Sequence, residues 1–503
     1  MGACLHDVLA RAAAQTPGVL ALVSGETSHT FAGLHARVQR AAAFLDDATD
    51  PGARVAVVGE NHPAWVECYY AVPAVGRVLV FGNHRLAPAE LRSVLERSGA
   101  SMVVGPRREL DRIFAAGPVA GVHEVVDLDG WEHALAEASP IVPTATDPGA
   151  PAWLIYTSGT TGRSKGATLA HRNVLAAVRI ANACRVVADD EMYLLPFPLS
   201  HIAGFNVIHH HARLRPVVLM PRFDAREFVA TVARHRVTAA SLAATMLHSL
   251  LVLLDEEPAL VADLRSLQLL AYGAAPMPVP LLRHGHDVLG VDFHSGYGMT
   301  ELSGNAVFLD VAGHRRALAG HPEVLVTAGR PGPEVDVRLA DDGEILIRSP
   351  QVMLGYWDEP DATATTVVDG WLHTGDIGRF DTEGNLAIVD RKKDVILTGG
   401  ENVSSLEVEQ VLHEVPEVGE VAVIGVPDPE WGENVCAVVV PRAGTMVDPD
   451  ALVAAARARL AGFKVPRHVV VVDELPKNST GKIVKQELRA WLAAQPERLG
   501  ARR

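Results

Sequence analysis

The sequence predicts an α/β protein: a large N-terminal domain of mixed, largely parallel sheets with a small barrel-like β subdomain, then a small α+β C-terminal domain. Three observations carry this. Strand-like and helix-like runs alternate through the first three hundred residues, the pattern of a parallel sheet covered by helices. Between residues 329 and 390 the runs shorten and turn pairs separate them, as in "DDGEILIRS" and "DTEGNLAIVD", which reads as antiparallel hairpins. After the charged run "DRKKD" (390–394) a fresh alternation begins. At 503 residues the chain also exceeds one ordinary domain.

The elements follow in order. "ARVAVVG", "VLVFGN" and "SMVVG" read as strands, with "AWVECYYAVPAVG" and "APAELRSVLERSG" as the helices between them. "AWLIY" is a strand that leads into the loop "YTSGTTGRSKG" (156–166), and "HRNVLAAVRIANA" is the helix after it. "AASLAATMLHSLLVLLDE", "LQLLAYGAAP" and "VDFHSGYG" continue the alternation. In the last segment Ser404 and Glu407 have capping-box spacing for the helix "LEVEQVLHEV". "GEVAVIGV" and "CAVVVPR" are strands, and Asp448 and Pro449 open a helix that Gly462 is expected to stop. The expected divisions are 1–390, with its β-rich part at about 329–390, a hinge at 391–394, and 395–503.

Composition narrows the function. Apolar residues make up 48% and charged residues 21%, enough for a large core. A net charge of −15 argues against a nucleic-acid partner, which asks for a basic face. Nucleotides stay open, because backbone amides hold phosphate without net positive charge. Cys4, Cys68, Cys184 and Cys436 share no metal-ligand spacing, which suits a reducing cytoplasm. No apolar run reaches the ~18 residues of a membrane span, no basic-headed signal peptide is visible, and His6 stands where a myristoylation signal needs Ser or Thr.

The 156–166 loop crowds three glycines and five hydroxyl side chains, from Thr and Ser, into eleven residues. It is not the common nucleotide P-loop, which needs Lys and Ser/Thr directly after its last glycine. Here Arg163 and Ser164 separate Gly162 from Lys165. Spacing alone leaves two readings: a loop that wraps phosphate with amides and hydroxyls, or a surface turn built from the usual turn residues.

Five further blocks change the weight of evidence: "YGAAP" (272–276), "GYGMTE" (296–301), "WLHTGD" (371–376), "DRKKDVILTGGENV" (390–403) and "NSTGK" (478–482). With the loop they resemble, in order, the motifs of the acyl-activating adenylate-forming enzymes: acyl-CoA synthetases, peptide-synthetase adenylation domains and luciferases. The resemblance runs from about residue 5 to 495. It implies an AMP-forming acid–thiol ligase that uses ATP and Mg²⁺ to turn a carboxylic acid into acyl-AMP with loss of pyrophosphate, then transfers the acyl group to coenzyme A.

It also implies roles, residue by residue. Thr157, Ser158, Gly159, Thr160, Thr161, Gly162 and Lys165 would close over the β- and γ-phosphates. Gly273, Ala274, Ala275, Gly296, Tyr297, Gly298 and Met299 would bound the adenine slot, with an aromatic ring stacked on the base. Thr300 would contact the α-phosphate and Glu301 would ligate Mg²⁺, a hard donor for a hard cation. Asp376 would accept the ribose hydroxyls, with Arg391 as its partner and Ile388 also on the nucleotide. Lys482 would stabilise charge developing at phosphorus. Lys393 would be the pivot of a mobile C-terminal domain that lines a coenzyme A tunnel with Gly399, Gly400, Glu401 and Asn402 in its second orientation.

For the acid, the resemblance implies a pocket of His201, Phe205, Tyr272, Gly273, Met299 and Gly304, with Gly204, Gly273, Gly296 and Gly304 leaving room. His201 joins Lys482, Glu301 and Thr300 as a catalytic candidate. Gly296 replaces the Arg of malonate-activating relatives, Met299 replaces the Trp of acetate-activating ones, and no Asp stands beside His201 to pair an amino group. A medium- or long-chain fatty acid or an aromatic acid is left. Two alternatives stay open: transfer of the adenylate to a carrier protein or another nucleophile, including amine or nitrite chemistry, and a catalytically silent binding protein of this fold. A second copy of the chain is a further candidate partner.

His209, His210 and His211 are consecutive, so on a helix they point ~100° apart and cannot face one tetrahedral ion. They, His284 and His286 are expected to be structural or surface residues. Arg77, Phe81, Gly82 and Arg215 depart from what relatives carry at those positions and mark a divergent member.

Overall fold

Strands that read as continuous apolar runs are buried on both faces, as helix-covered parallel strands must be. In the computed structural model, Arg54–Val58 and Val78–Gly82 are buried at nearly every position. They sit in a seven-stranded sheet with the order Gly355–Tyr356, Lys165–Ala170, Pro151–Thr157, Val78–Gly82, Arg54–Val58, Ala100–Gly105, Glu124–Asp127. Its first two pairings are antiparallel and the rest parallel. The helix Pro63–Ala74 is buried at every position, as a helix apolar all round must be. Its one charge, Glu67, accepts from Arg37 and from Trp131 Nε1. The structure describes residues 3–143, 147–157, 164–185, 188–273, 277–429, 431–478 and 482–499.

A second sheet has nine strands in the order Arg330–Pro331, Gly304–Leu309, Asp292–Met299, Leu269–Gly273, Ala239–Leu242, Tyr193–Leu195, Val217–Leu219, Leu20–Ser24, Thr27–Thr30. It is parallel through the middle and antiparallel at both edges. From residue 329 to 390 the chain forms short strands, with Trp371–Phe380 paired antiparallel to Leu386–Arg391.

The chain divides into two compact units. The first comprises Met1–Met277, Arg283–Val337 and Ile347–Leu372, and the second Pro278–Leu282, Arg338–Leu346 and His373–Arg503. The second unit holds a smaller sheet in the order Glu401–Val403, Ile396–Thr398, Gly432–Pro441, Val418–Asp428, with His468–Val471 parallel to Gly432–Pro441. Alternate residues of its strands face opposite sides. Val421 and Val423 pack with the helices Ser405–His413 and Pro449–Arg457, while Ala422 and Ile424 pack with Lys485–Ala494. Among the described residues no helix is long and apolar enough to cross a membrane.

Several local expectations change. Ser404 Oγ accepts from the Glu407 N–H at 3.1 Å, but the Glu407 carboxylate pairs with Lys464 at 2.7 Å, so only half of the capping box forms. The helix opened by Asp448 ends at Arg457, and Gly462 starts a 3-10 turn instead of stopping it. Arg77 is buried; it donates to Thr49 Oγ1 and to the carbonyls of Asp46, Thr49 and Val75, closing the C-terminal end of the helix Phe31–Ala48. Phe81 packs against Tyr69 and Trp153, Gly82 admits the Val58 side chain, and Arg215 pairs with Asp189 at 3.4 Å. His209, His210 and His211 lie wholly in the interior, whereas His284 pairs with Asp255 at the surface and His286 bonds the Val291 carbonyl.

Candidate active site

In the first unit Thr157 and Lys165 face each other across the antiparallel pair that brackets the loop. The loop residues Ser158, Gly159, Thr160, Thr161 and Gly162, with Ala274 and Ala275, lie outside the described residues. Arg97 braces the loop's exit: it donates to the Ser164 carbonyl and to Glu359, both at 2.6 Å, and its guanidinium lies 5.5 Å from the Tyr156 ring centre.

The strand Asp292–Met299 ends in the 3-10 turn Thr300–Leu302, which places Glu301 beside the bracket. Glu301 Oε1 accepts from the Tyr356 hydroxyl at 2.9 Å and from Thr157 Oγ1 at 3.4 Å, and Lys165 Nζ lies 5.1 Å from the Tyr356 ring centre. Burial, and then the Glu301 charge, raise the Tyr356 hydroxyl well above its ordinary pKa, so it stays a donor. The Met353 N–H bonds the Glu301 carbonyl at 2.8 Å and Ser303 Oγ bonds the Gln351 carbonyl at 2.8 Å, which fixes the segment that delivers Tyr356. One carboxylate backed by hydroxyls fits Mg²⁺ shared with a nucleotide's phosphates better than a protein-only cage. Among the described residues no group of three potential metal-binding side chains occurs.

Gly273 and Gly296 are directly opposite in the sheet. A Cβ at Gly273 would lie 2.8 Å from the Gly296 carbonyl oxygen, and one at Gly296 would fall on the Asn305 side chain. At Gly204 a Cβ would fall on the Tyr69 hydroxyl, which donates to the Leu199 carbonyl. At these three glycines neighbouring atoms fill the place a side chain would take. Gly304 does meet Phe205: a Cβ there would stand 3.4 Å from the Phe205 ring. Met299 pairs with Gly304 in register, and Gly298 and Tyr297 precede it on the same strand. His201 precedes the 3-10 turn Ile202–Gly204, which leads into the helix Phe205–Ala212. Tyr272 donates to His314 Nε2 at 2.8 Å, a tautomer fixed because His314 Nδ1 bonds the Asp310 carbonyl. Burial pushes the Tyr272 hydroxyl up to about 12, so it stays protonated.

In the second unit Asp376 and Arg391 face each other in register, with Arg391 Nε 3.3 Å from the Asp376 carboxylate. Asp376 is 5% exposed, and Ile388 faces Gly378 on the same hairpin. Glu344 shapes this turn by accepting from the Gly375 N–H at 2.9 Å, Lys392 Nζ at 2.9 Å and His373 Nδ1 at 3.3 Å. Burial raises the Glu344 pKa, but these donors outweigh it and hold the carboxyl below its ordinary value. Lys393 stands between the tethered Lys392 and Asp394, which pairs with Arg489 at 2.9 Å. Gly399 and Gly400 form a two-residue hairpin turn with φ of +59° and +85°, and Glu401 and Asn402 open the returning strand. Lys482 is exposed: its N–H bonds Asn478 Oδ1 at 2.9 Å, and the Asn478 N–H bonds its carbonyl at 2.8 Å.

Sequence reasoning missed Tyr356, Arg97 and Glu344. None lies in a recognised block; the one available signal was that Glu301 and the "TGD" amides needed partners.

Two family models match the chain: "AMP-binding enzyme" over residues 9–357 and "AMP-binding enzyme C-terminal domain" over residues 407–482. A feruloyl-CoA synthase of Amycolatopsis sp is 39% identical over 494 residues, 95% of this chain and 97% of the relative. The amide bond synthetase McbA from Marinactinospora thermotolerans is similar in structure, with a TM-score of 0.86 at 31% identity over 97% of this chain and 99% of that one. The o-succinylbenzoate coenzyme A synthetase of Bacillus subtilis with ATP and magnesium ion has a TM-score of 0.82 at 29% identity, covering 96% of this chain and 98% of that one.

Proposed function

The chain belongs to the AMP-binding enzyme family, and from that premise we propose that its acid is a ring-bearing carboxylic acid, activated by the residues described above. The reaction is that of an acid–thiol ligase: with ATP and Mg²⁺ a carboxylic acid becomes its acyl adenylate, and the acyl group then passes to coenzyme A with release of AMP. The aromatic arm of the expectation is favoured over the fatty-acid arm by the 39% identity to a feruloyl-CoA synthase.

A carboxylate oxygen of the acid attacks the α-phosphorus, and the bond to pyrophosphate breaks. The Lys482 ammonium and the Thr300 hydroxyl offset charge on the phosphoryl oxygens, where preorganised donors act most strongly. Mg²⁺, when bound, draws charge off the departing phosphates. Glu301, held by Tyr356 and Thr157, would be its protein ligand. Lys165 supports the loop, Asp376 and Arg391 orient the ribose, and His201 guards the acyl mouth. In the second step the coenzyme A sulfur attacks the acyl carbon and AMP leaves. We assign the N-terminal domain to residues 1–390, the hinge to 391–394 with Lys393 as pivot, and the C-terminal domain to 395–503. Its Gly399–Asn402 turn serves the thiol step. All four cysteines are free, which supports a cytoplasmic setting.

The observation that carries the adenylation step of this reading is Glu301 clasped by Tyr356 and Thr157 at the bracket of the loop. Its test separates the half-reactions. Lys482→Ala should abolish pyrophosphate release from ATP and acid while a pre-made aryl adenylate is still converted to thioester, and Lys393→Pro should do the reverse by stiffening the hinge. Equal loss of both steps in Lys482→Ala refutes its role. The likeness to an amide bond synthetase gives a second acceptor a footing: adenylate or amide accumulating beside unused coenzyme A would move the acyl group from the thiol to an amine or a carrier.

A further inference from the structure

The helix Phe205–Ala212 carries two rings a turn apart, Phe205 and His209, with centres 6.5 Å apart. Residues four apart share a helix face, and Phe205 is the ring that meets Gly304, so this face belongs to the wall assigned to the acyl pocket. His209 is 1% exposed, yet among the described residues neither of its ring nitrogens has a hydrogen-bond partner. Its neighbours are fully committed. His210 bonds Glu191 at 2.9 Å and the Asn206 carbonyl at 2.7 Å, and His211 bonds Tyr70 at 2.7 Å and the Ala21 carbonyl at 3.0 Å. Buried polar atoms are almost always satisfied, so two orphans on one ring need an explanation.

The surroundings say what could satisfy them. Burial above all lowers His209 well below its ordinary pKa and holds the ring neutral, so one nitrogen donates and the other accepts. His294 Nε2 is a second buried atom without a partner among the described residues. Arg185, one of the charges that act on His209, is already paired with Glu191 at 2.8 Å. A neutral hydroxyl would meet both a donor and an acceptor on the neutral ring. A hydrocarbon tail would leave the nitrogens as they are.

We propose that His209 is a polar terminus of the acyl pocket that hydrogen-bonds a neutral donor–acceptor group, such as a ring hydroxyl, on the tail of the acid. The inference rests on the reading that this chain activates a ring-bearing acid. It deepens that reading by separating hydroxylated rings from bare ones.

The test uses the full chain with ATP, Mg²⁺ and coenzyme A, and two acids of matched shape, 4-hydroxycinnamate and 4-methylcinnamate. Sites built to hydrogen-bond a hydroxyl reject the analogue that lacks it, so wild-type kcat/KM should favour the hydroxy acid by about tenfold or more. His209→Leu should bring that ratio to near one, mostly through KM, while His209→Gln, which keeps a donor and an acceptor, should retain most of it. A wild-type ratio near one overturns the inference and leaves the ring-acid reading standing. So does a ratio unchanged in His209→Leu, which would make the imidazole structural. If His209→Leu does not fold, the wild-type ratio and His209→Gln decide. Turnover of dodecanoate with neither cinnamate would overturn both.

Discussion

Tyr356 donates its hydroxyl to the carboxylate that the Mg²⁺ assignment depends on. A hydrogen bond to a charged group contributes about 1.5–3 kcal/mol, and losing it frees Glu301 to swing. Tyr356→Phe should therefore raise the Mg²⁺ concentration for half-maximal pyrophosphate release about tenfold and lower thermal stability modestly. A titration of Mg²⁺ at saturating ATP checks this, and an unchanged midpoint would dissociate Tyr356 from the metal. The same pair shows what the sequence made legible. Glu301 stood out because "GYGMTE" surrounds it. Tyr356 could not, because it lies in a two-residue strand whose place is set by pairing with Ala167 and Thr168, nearly two hundred residues earlier. His209 marks a related limit: helical angles exclude a shared metal ion, but they do not say which of three adjacent imidazoles finds a partner.

At the scale of elements, turns and caps were legible where their chemistry is local and lost where it is tertiary. Ser404 caps its helix through an amide three residues on, a contact that needs no other part of the fold. Glu407 abandons its half of the box for Lys464, which only the folded unit brings near. The Gly399–Gly400 turn permits a quantitative test, since the two glycines differ in surroundings. Both have positive φ, where a Cβ costs roughly 1–2 kcal/mol. At Gly399 the Cβ would also stand 2.6 Å from the Trp431 ring, while at Gly400 nothing lies within 4 Å. Gly399→Ala should destabilise by about 3 kcal/mol and Gly400→Ala by about 1 kcal/mol in urea unfolding. Gly399→Ala should also slow thioester formation more than adenylation. Equal costs would mean that the Trp431 contact relaxes freely.

At the scale of the whole molecule, the alternation of strands and helices predicted the architecture, because parallel sheets need crossover helices and both leave their period in the sequence. Nothing in that pattern reports how many of the 22 histidines are buried, and this sets how the first unit responds to acid. Burial lowers His171, His211, His294 and His314 to about 4 from an ordinary 6.5. In the unfolded chain these imidazoles take up protons as pH falls below 6.5, while in the folded chain they stay neutral until near pH 4. Each therefore contributes nothing to pH dependence above 6.5 and draws the equilibrium toward unfolding as pH drops from 6.5 to 4. At pH 5.5 the linkage amounts to about 1 kcal/mol per histidine, which for four groups is a large share of a typical stability of about 5–15 kcal/mol. The first unit should melt at nearly the same temperature at pH 7.5 and 7.0, then several degrees lower by pH 5.5. His211→Gln, which removes one titrating ring, should flatten that slope whatever it does to stability at pH 7.5. A melting temperature level down to pH 5 would mean that these histidines gain protons in the folded protein, and that the interior around Tyr70, Phe31 and Tyr272 is open to water.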